Sequence, residues 1–147
     1  MKQNKIINLS HGIYLAIAIL MSALILQSCS HKIAFATSSV VPAAEGSVKV
    51  KKDKNNNYNI DLSVIRLADP KRLSPSKQLY VVWMNTDQNG TKNLGQLKTS
   101  SSMLSKTLKS SLKTVSSVKP VRIFITAEDD AAVQYPGGEV VLDTSNF

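Results

Sequence analysis

From Gly46 onward the chain alternates apolar and polar residues with a period of two, and that pattern restricts what it can fold into more than any other feature. "SVKVKKD" sets Val48 and Val50 against Lys49 and Lys51, and "YNIDLSV" sets Tyr58, Ile60, Leu62 and Val64 against Asn59, Asp61 and Ser63. Successive strand side chains point to opposite faces, so each run places one face in a core and the other in water. The asparagines of the intervening "KNNN" tolerate positive φ, which predicts a hairpin.

Pro70 and Pro75 bracket a polar connection where regular structure would lose amide donors. "QLYVVWMNT", Gln78 to Thr86, is apolar at both parities and reads as a central strand covered on both faces, although a run this short also fits a helix. Tyr80 and Trp83 are then core residues rather than the lining of a ligand groove. "DQNG" is a turn, and "TKNLGQLKTS" returns as one strand. "SSMLSKTLKSSLKTVSSV", Ser101 to Val118, is ambiguous over 103–116. Leu104, Leu108, Leu112 and Val115 fit a helical stripe, but serine and threonine at this density compete for backbone groups and favour a strand. After Pro120, "VRIFITA" alternates again and ends at "EDDAAVQYPGG" before "EVVLDT". About seven short strands separated by turn chemistry predict an all-β fold, an antiparallel β-sandwich of the immunoglobulin-like kind, over residues 46–147.

Ahead of this region, residues 1–12 carry Lys2 and Lys5 and no acid, and Ile13 to Leu26 is apolar apart from Tyr14 and Ser22. That is the layout of a secretory leader. As a helix the apolar run reaches only about 21 Å, short of a hydrocarbon core of about 30 Å, so a permanent transmembrane helix is the weaker reading. The run ends in Leu26-Gln27-Ser28-Cys29. Here the chain resembles bacterial lipoproteins, whose lipobox places leucine three residues before the modified cysteine; Gln27 is larger than the usual residue at its position. The resemblance implies that the leader, residues 1–28, is removed and that Cys29 becomes a lipidated first residue. A thiolate suits a thioether to lipid, and two or more acyl chains suffice for stable anchoring. Ser30, where many lipoproteins kept at the inner membrane have aspartate, implies residence in the outer membrane of the cell envelope. Residues 29–45, small and polar with Pro42, read as lipidated terminus and tether, with Val40 and Val41 an alternative start for a first strand.

A second resemblance covers Tyr80 to Leu142. "YVVWMNTDQNG", "NLGQL", "VRIFITAEDD" and "YPGGEVVL" look like the extracytoplasmic domain of anti-sigma-K factor regulators. That resemblance implies a sandwich and, as an alternative function, a sensing or regulatory subunit that binds a membrane signalling partner. Those regulators carry a sigma-binding domain and a transmembrane helix ahead of the sandwich. Here a leader and a cysteine stand in that place, so the chain is not expected to hold a sigma factor itself.

The formal charge is +8, from 18 Lys and Arg against 10 Asp and Glu; without Lys2 and Lys5 it is +6. Such a surface favours anionic partners. The run Lys49, Lys51, Lys52 and Lys54 reads as a solvated strand face and turn. Aromatic residues do not interleave with the basic ones, so a nucleic-acid platform is not expected. One cysteine rules out an intramolecular disulfide and a multi-cysteine zinc site. His31, beside the cysteine, reads as solvated, and with His11 in the leader a Ser-His-Asp triad is not expected. Glu128, Asp129 and Asp130 form the only acidic run and read as solvated. They are the one place for a calcium site, with Asp143, or for a hydrolase acting on envelope polymers, the least favoured function. "GTKNLG" has too little glycine for a phosphate loop. Asn89-Gly90-Thr91 matches a glycosylation acceptor that a bacterial protein usually does not use. The expectation is a membrane-anchored binding or structural module rather than an enzyme. Cys29 is its one functional residue, an envelope protein or glycan its partner, and it needs no cofactor or metal.

Overall fold

The computed structural model describes residues 32–88, 90–102 and 105–147; the leader, Cys29, His31 and Asn89 lie outside the described residues. It is an antiparallel β-sandwich with nine strands among those residues: β1 (Lys32–Ala34), β2 (Glu45–Lys52), β3 (Tyr58–Ile65), β4 (Leu79–Thr86), β5 (Thr91–Gln96), β6 (Lys98–Ser102), β7 (Ser105–Ser116), β8 (Pro120–Glu128) and β9 (Val140–Asp143). One sheet runs β1-β2-β3-β7-β6 and the other β5-β4-β8-β9. With β2, β3, β6 and β7 taken as strands A, B, D and E, and β4, β8 and β9 as C, F and G, this is the ABED and CFG order of the immunoglobulin architecture. β1 is added beside A and β5 beside C.

The expected hairpin joins β2 to β3. Asn56 takes φ 66° at its tip, and the Asp53 carboxylate accepts the amides of Asn55 and Asn57 at 2.8 and 2.9 Å. Val48, Ile60, Leu62 and Val64 face inward against Tyr80, Val82, Met84, Ile123, Ile125 and Leu142 of the second sheet, and all are buried. The central strand is covered on both faces as its composition requires. Val81 and Trp83 form a separate cluster with Phe124 on the outer side, closed by Leu79 and by Val133 of the loop between β8 and β9. The segment open to helix or strand is β7 from Ser105 onward, with Ser110 and Leu112 turned toward the core and Lys109 and Lys113 turned out; Met103 and Leu104 lie outside the described residues.

Two strands exceed the expected seven because of non-local pairing. "TKNLGQLKTS" is not one strand: it leaves the second sheet at Gln96, buries Leu97, and joins the first sheet as β6. The stretch read as tether is built into the domain from Lys32 onward. β1 pairs with β2, and the Ala36 amide donates to the Asp143 carbonyl at 2.8 Å, tying one sheet's edge to the other's. Val40 and Val41 do not start a strand; Val41 and Ala44 are buried in a turn whose amides at Val40 and Val41 bond the buried Ser38 hydroxyl.

Candidate functional site

The acidic run does not gather a site. Glu128 is buried, and its Oε1 accepts from the Thr126 hydroxyl at 2.7 Å and from the amides of Gly137 and Gly138 at 3.1 and 3.0 Å. Thr126 in turn accepts from Trp83 Nε1 at 2.8 Å. The reading of this acid as solvated is therefore corrected: it latches the loop between β8 and β9 onto the Trp83 cluster. Asn93 fastens the same loop by donating to the carbonyls of Ala131 and Val133. Asp129 pairs with Lys77 at 2.6 Å, Asp130 accepts the Ala132 amide, and Asp143 takes both a 2.7 Å bond from Arg122 Nε and a bond from its Nη2. The bond to Asp143 holds the Arg122 guanidinium above its usual pKa, against the burial that opposes it. No group of three potential metal ligands occurs among the described residues. The motifs behind the anti-sigma resemblance, Trp83, Thr126 to Glu128 and Gly137 to Gly138, meet in this network, so in this chain they have a structural task.

The outer face of the first sheet is different. Outward-facing positions of neighbouring strands line up in transverse rows. One row is Lys32, Lys49, Asp61 and Lys113; the next is Ala34, Ser47, Ser63 and Ser111; the third is Glu45, Ile65 and Lys109. Strands lie about 4.8 Å apart and same-face residues about 7 Å apart, so each four-residue row is roughly 14 Å long. The middle row is made of short side chains and its neighbours largely of long ones. The result is an open trough of about 580 Å³ with serine hydroxyls on its floor and lysines along its walls.

Its charge is set by the register. Asp61 pairs with Lys113 at 3.5 Å, and Glu45 is taken by Arg66. Lys32 stands directly opposite Lys49, and neither forms an ion pair among the described residues. Like charges directly opposed cost a sheet stability. Asp61 lies across from Lys49 on its other side but pairs with Lys113, so the Lys32 edge of this face keeps a like-charge contact that an anion would relieve, beside hydroxyls able to donate to its oxygens. Serine hydroxyls set among ammonium groups are an arrangement able to hold the oxygens of an anion.

The lysine run read along the sequence as a solvated face thus contributes one member, Lys49, to a cluster assembled from β1, β2, β3 and β7. Lys32 lay in the supposed tether and Lys109 and Lys113 in the ambiguous segment. The available signal was "KSSLK", Lys109 to Lys113, which places two lysines and Ser111 on one face once the segment is a strand. No protein family, curated protein or solved structure matches the chain.

Proposed function

We propose that this chain is a cell-envelope lipoprotein: a β-sandwich held to a membrane through lipid on Cys29, which works by binding rather than catalysis. Its ligand is an anionic, oxygen-rich group seated on the outer face of the first sheet. The observation that carries the binding role is the serine row walled by lysines, brought together from four strands distant in sequence. The lipobox-like Leu26 to Cys29 supports the anchor, and Ser30 supports outer-membrane residence.

Growth with an alkyne fatty acid tests the anchor: wild-type protein takes up the probe and fractionates with membranes, and Cys29→Ala does neither. Equal labelling of the two sinks the anchor. The binding role is tested on an anionic column, where reversing Lys49 and Lys113 to glutamate together should lower the eluting salt concentration well beyond the effect of reversing Lys92 and Lys119.

A further inference from the structure

We propose that the serine-floored trough docks on anionic phospholipid headgroups of the same bilayer that holds the lipid of Cys29, so that anchor and sheet face grip one membrane. The inference rests on the lipoprotein reading and names the ligand of its binding face.

The first argument is covalent reach. β1 begins at Lys32, three residues after Cys29. Three residues span at most about 11 Å in any conformation. A free tether of 16 residues would have given a root-mean-square reach of about 22 Å and a much longer limit. With the tether absorbed into the domain, a lipidated Cys29 holds the edge of the first sheet at the depth of the headgroups.

The second argument is which residues that edge presents. Lys32 is both the first residue of β1 and a member of the trough wall, followed across the sheet by Lys49 and, beyond Asp61, by Lys113. The end of the domain nearest Cys29 in sequence therefore carries Lys32 and Lys49, neither of them in an ion pair among the described residues, with Asp61 across from Lys49. Lysines held within a Debye length of an anionic leaflet are attracted to it, and phosphate oxygens are the acceptors that serine hydroxyls and ammonium groups match. The trough has no aromatic ring in its lining, so it lacks the stacking surface with which proteins commonly hold sugars or bases. This favours a headgroup over a glycan.

The test uses the full chain, acylated in cells, purified in detergent and reconstituted into vesicles of phosphatidylcholine alone or with about 30 mol% phosphatidylglycerol. An amine-reactive reagent reports the exposure of each lysine by mass spectrometry. Labelling of Lys32, Lys49 and Lys113 should fall at least about threefold in the anionic vesicles, while Lys92 on β5 of the other sheet stays unchanged. About 1 M NaCl, where the Debye length is roughly 3 Å, should restore labelling. Lys49→Glu should abolish the protection of Lys32 and Lys113. It faces Lys32 with an opposite charge and Asp61 with a like one, so the two effects on the fold oppose each other, and an unchanged urea midpoint shows that the fold is kept. Equal labelling in the two vesicle types overturns the proposal, as does protection that survives Lys49→Glu. Protection that appears only when a soluble acidic polysaccharide is added to phosphatidylcholine vesicles overturns it in favour of a glycan ligand. The mass of the N-terminal peptide reads the anchor separately. Acylated Cys29 with equal labelling removes the docking alone, whereas an unacylated terminus removes the anchor on which both readings stand.

Discussion

Tyr80 lies between the sheets and donates its hydroxyl to the Ala68 carbonyl at 3.0 Å. Burial, helped by the nearby Asp69 charge, pushes its pKa up to about 12. The folded state thus holds this proton more tightly than the unfolded chain, whose tyrosine ionises near pH 10. The contribution is complete below pH 10 and is lost as pH rises toward 12, a fall of roughly 2 to 3 kcal/mol. Tyr80→Phe should cost about 1 kcal/mol at pH 7, through the lost hydrogen bond, and should flatten the alkaline fall. Urea unfolding of both proteins from pH 8 to 12 measures this, and parallel curves would rule the assignment out. Glu128 invites a second experiment. Removing its acceptor strands the Thr126 hydroxyl and two glycine amides, so Glu128→Ala should destabilise by about 2 to 4 kcal/mol. Hydrogen exchange at Gly137 and Gly138 should rise further than elsewhere. An adjacent surface acid such as Asp130 should cost well under 1 kcal/mol when replaced by alanine.

Among the elements, the stretch 32–45 separates a domain that starts at the alternating pattern from one that starts at β1. Deleting residues 32–44 removes β1, the Ala36 to Asp143 bond, and the buried Val41 and Ala44, and it uncovers the edge of β2. The expected loss is about 3 kcal/mol or more, read as a lower urea midpoint; a true tether could be deleted at no cost. Gly138 makes a similar point within the loop between β8 and β9. A Cβ there would fall within the van der Waals envelope of the Ala127 carbonyl, so Gly138→Ala should displace the loop from Trp83 and change its fluorescence. β2, β3, β4 and β8 are legible in the sequence because a half-buried or doubly buried strand writes its environment into its own alternation. β1 is not legible, since a three-residue edge strand has too short a period to detect and is held by its partner. Nor is the break between β5 and β6, because Leu97 crosses between sheets for reasons of packing that no local pattern records.

At the scale of the whole molecule the candidate site is the least legible feature. Each of its rows takes one residue from each of several strands, and pairing in register alone turns Lys32, Lys49 and Lys113, distant in sequence, into neighbours. Composition showed only that the chain is basic; the placement of that charge within three residues of Cys29, the proposed point of attachment, is a product of the fold. The coupling between attachment and placement can be tested without touching a single lysine. Inserting about ten glycine and serine residues between His31 and Lys32 lengthens the link from three residues to about thirteen. The effective concentration of the face at the bilayer falls roughly as the −3/2 power of length, or by about an order of magnitude. The insertion lies ahead of β1, so urea stability should stay within about 0.5 kcal/mol of the parent. Protection of Lys32, Lys49 and Lys113 in anionic vesicles should weaken severalfold and become sensitive to lower salt. If protection is unchanged by the longer link, the face binds headgroups with its own affinity and the short attachment adds nothing. If stability falls with it, the residues before Lys32 contribute to the fold as well as to the anchor.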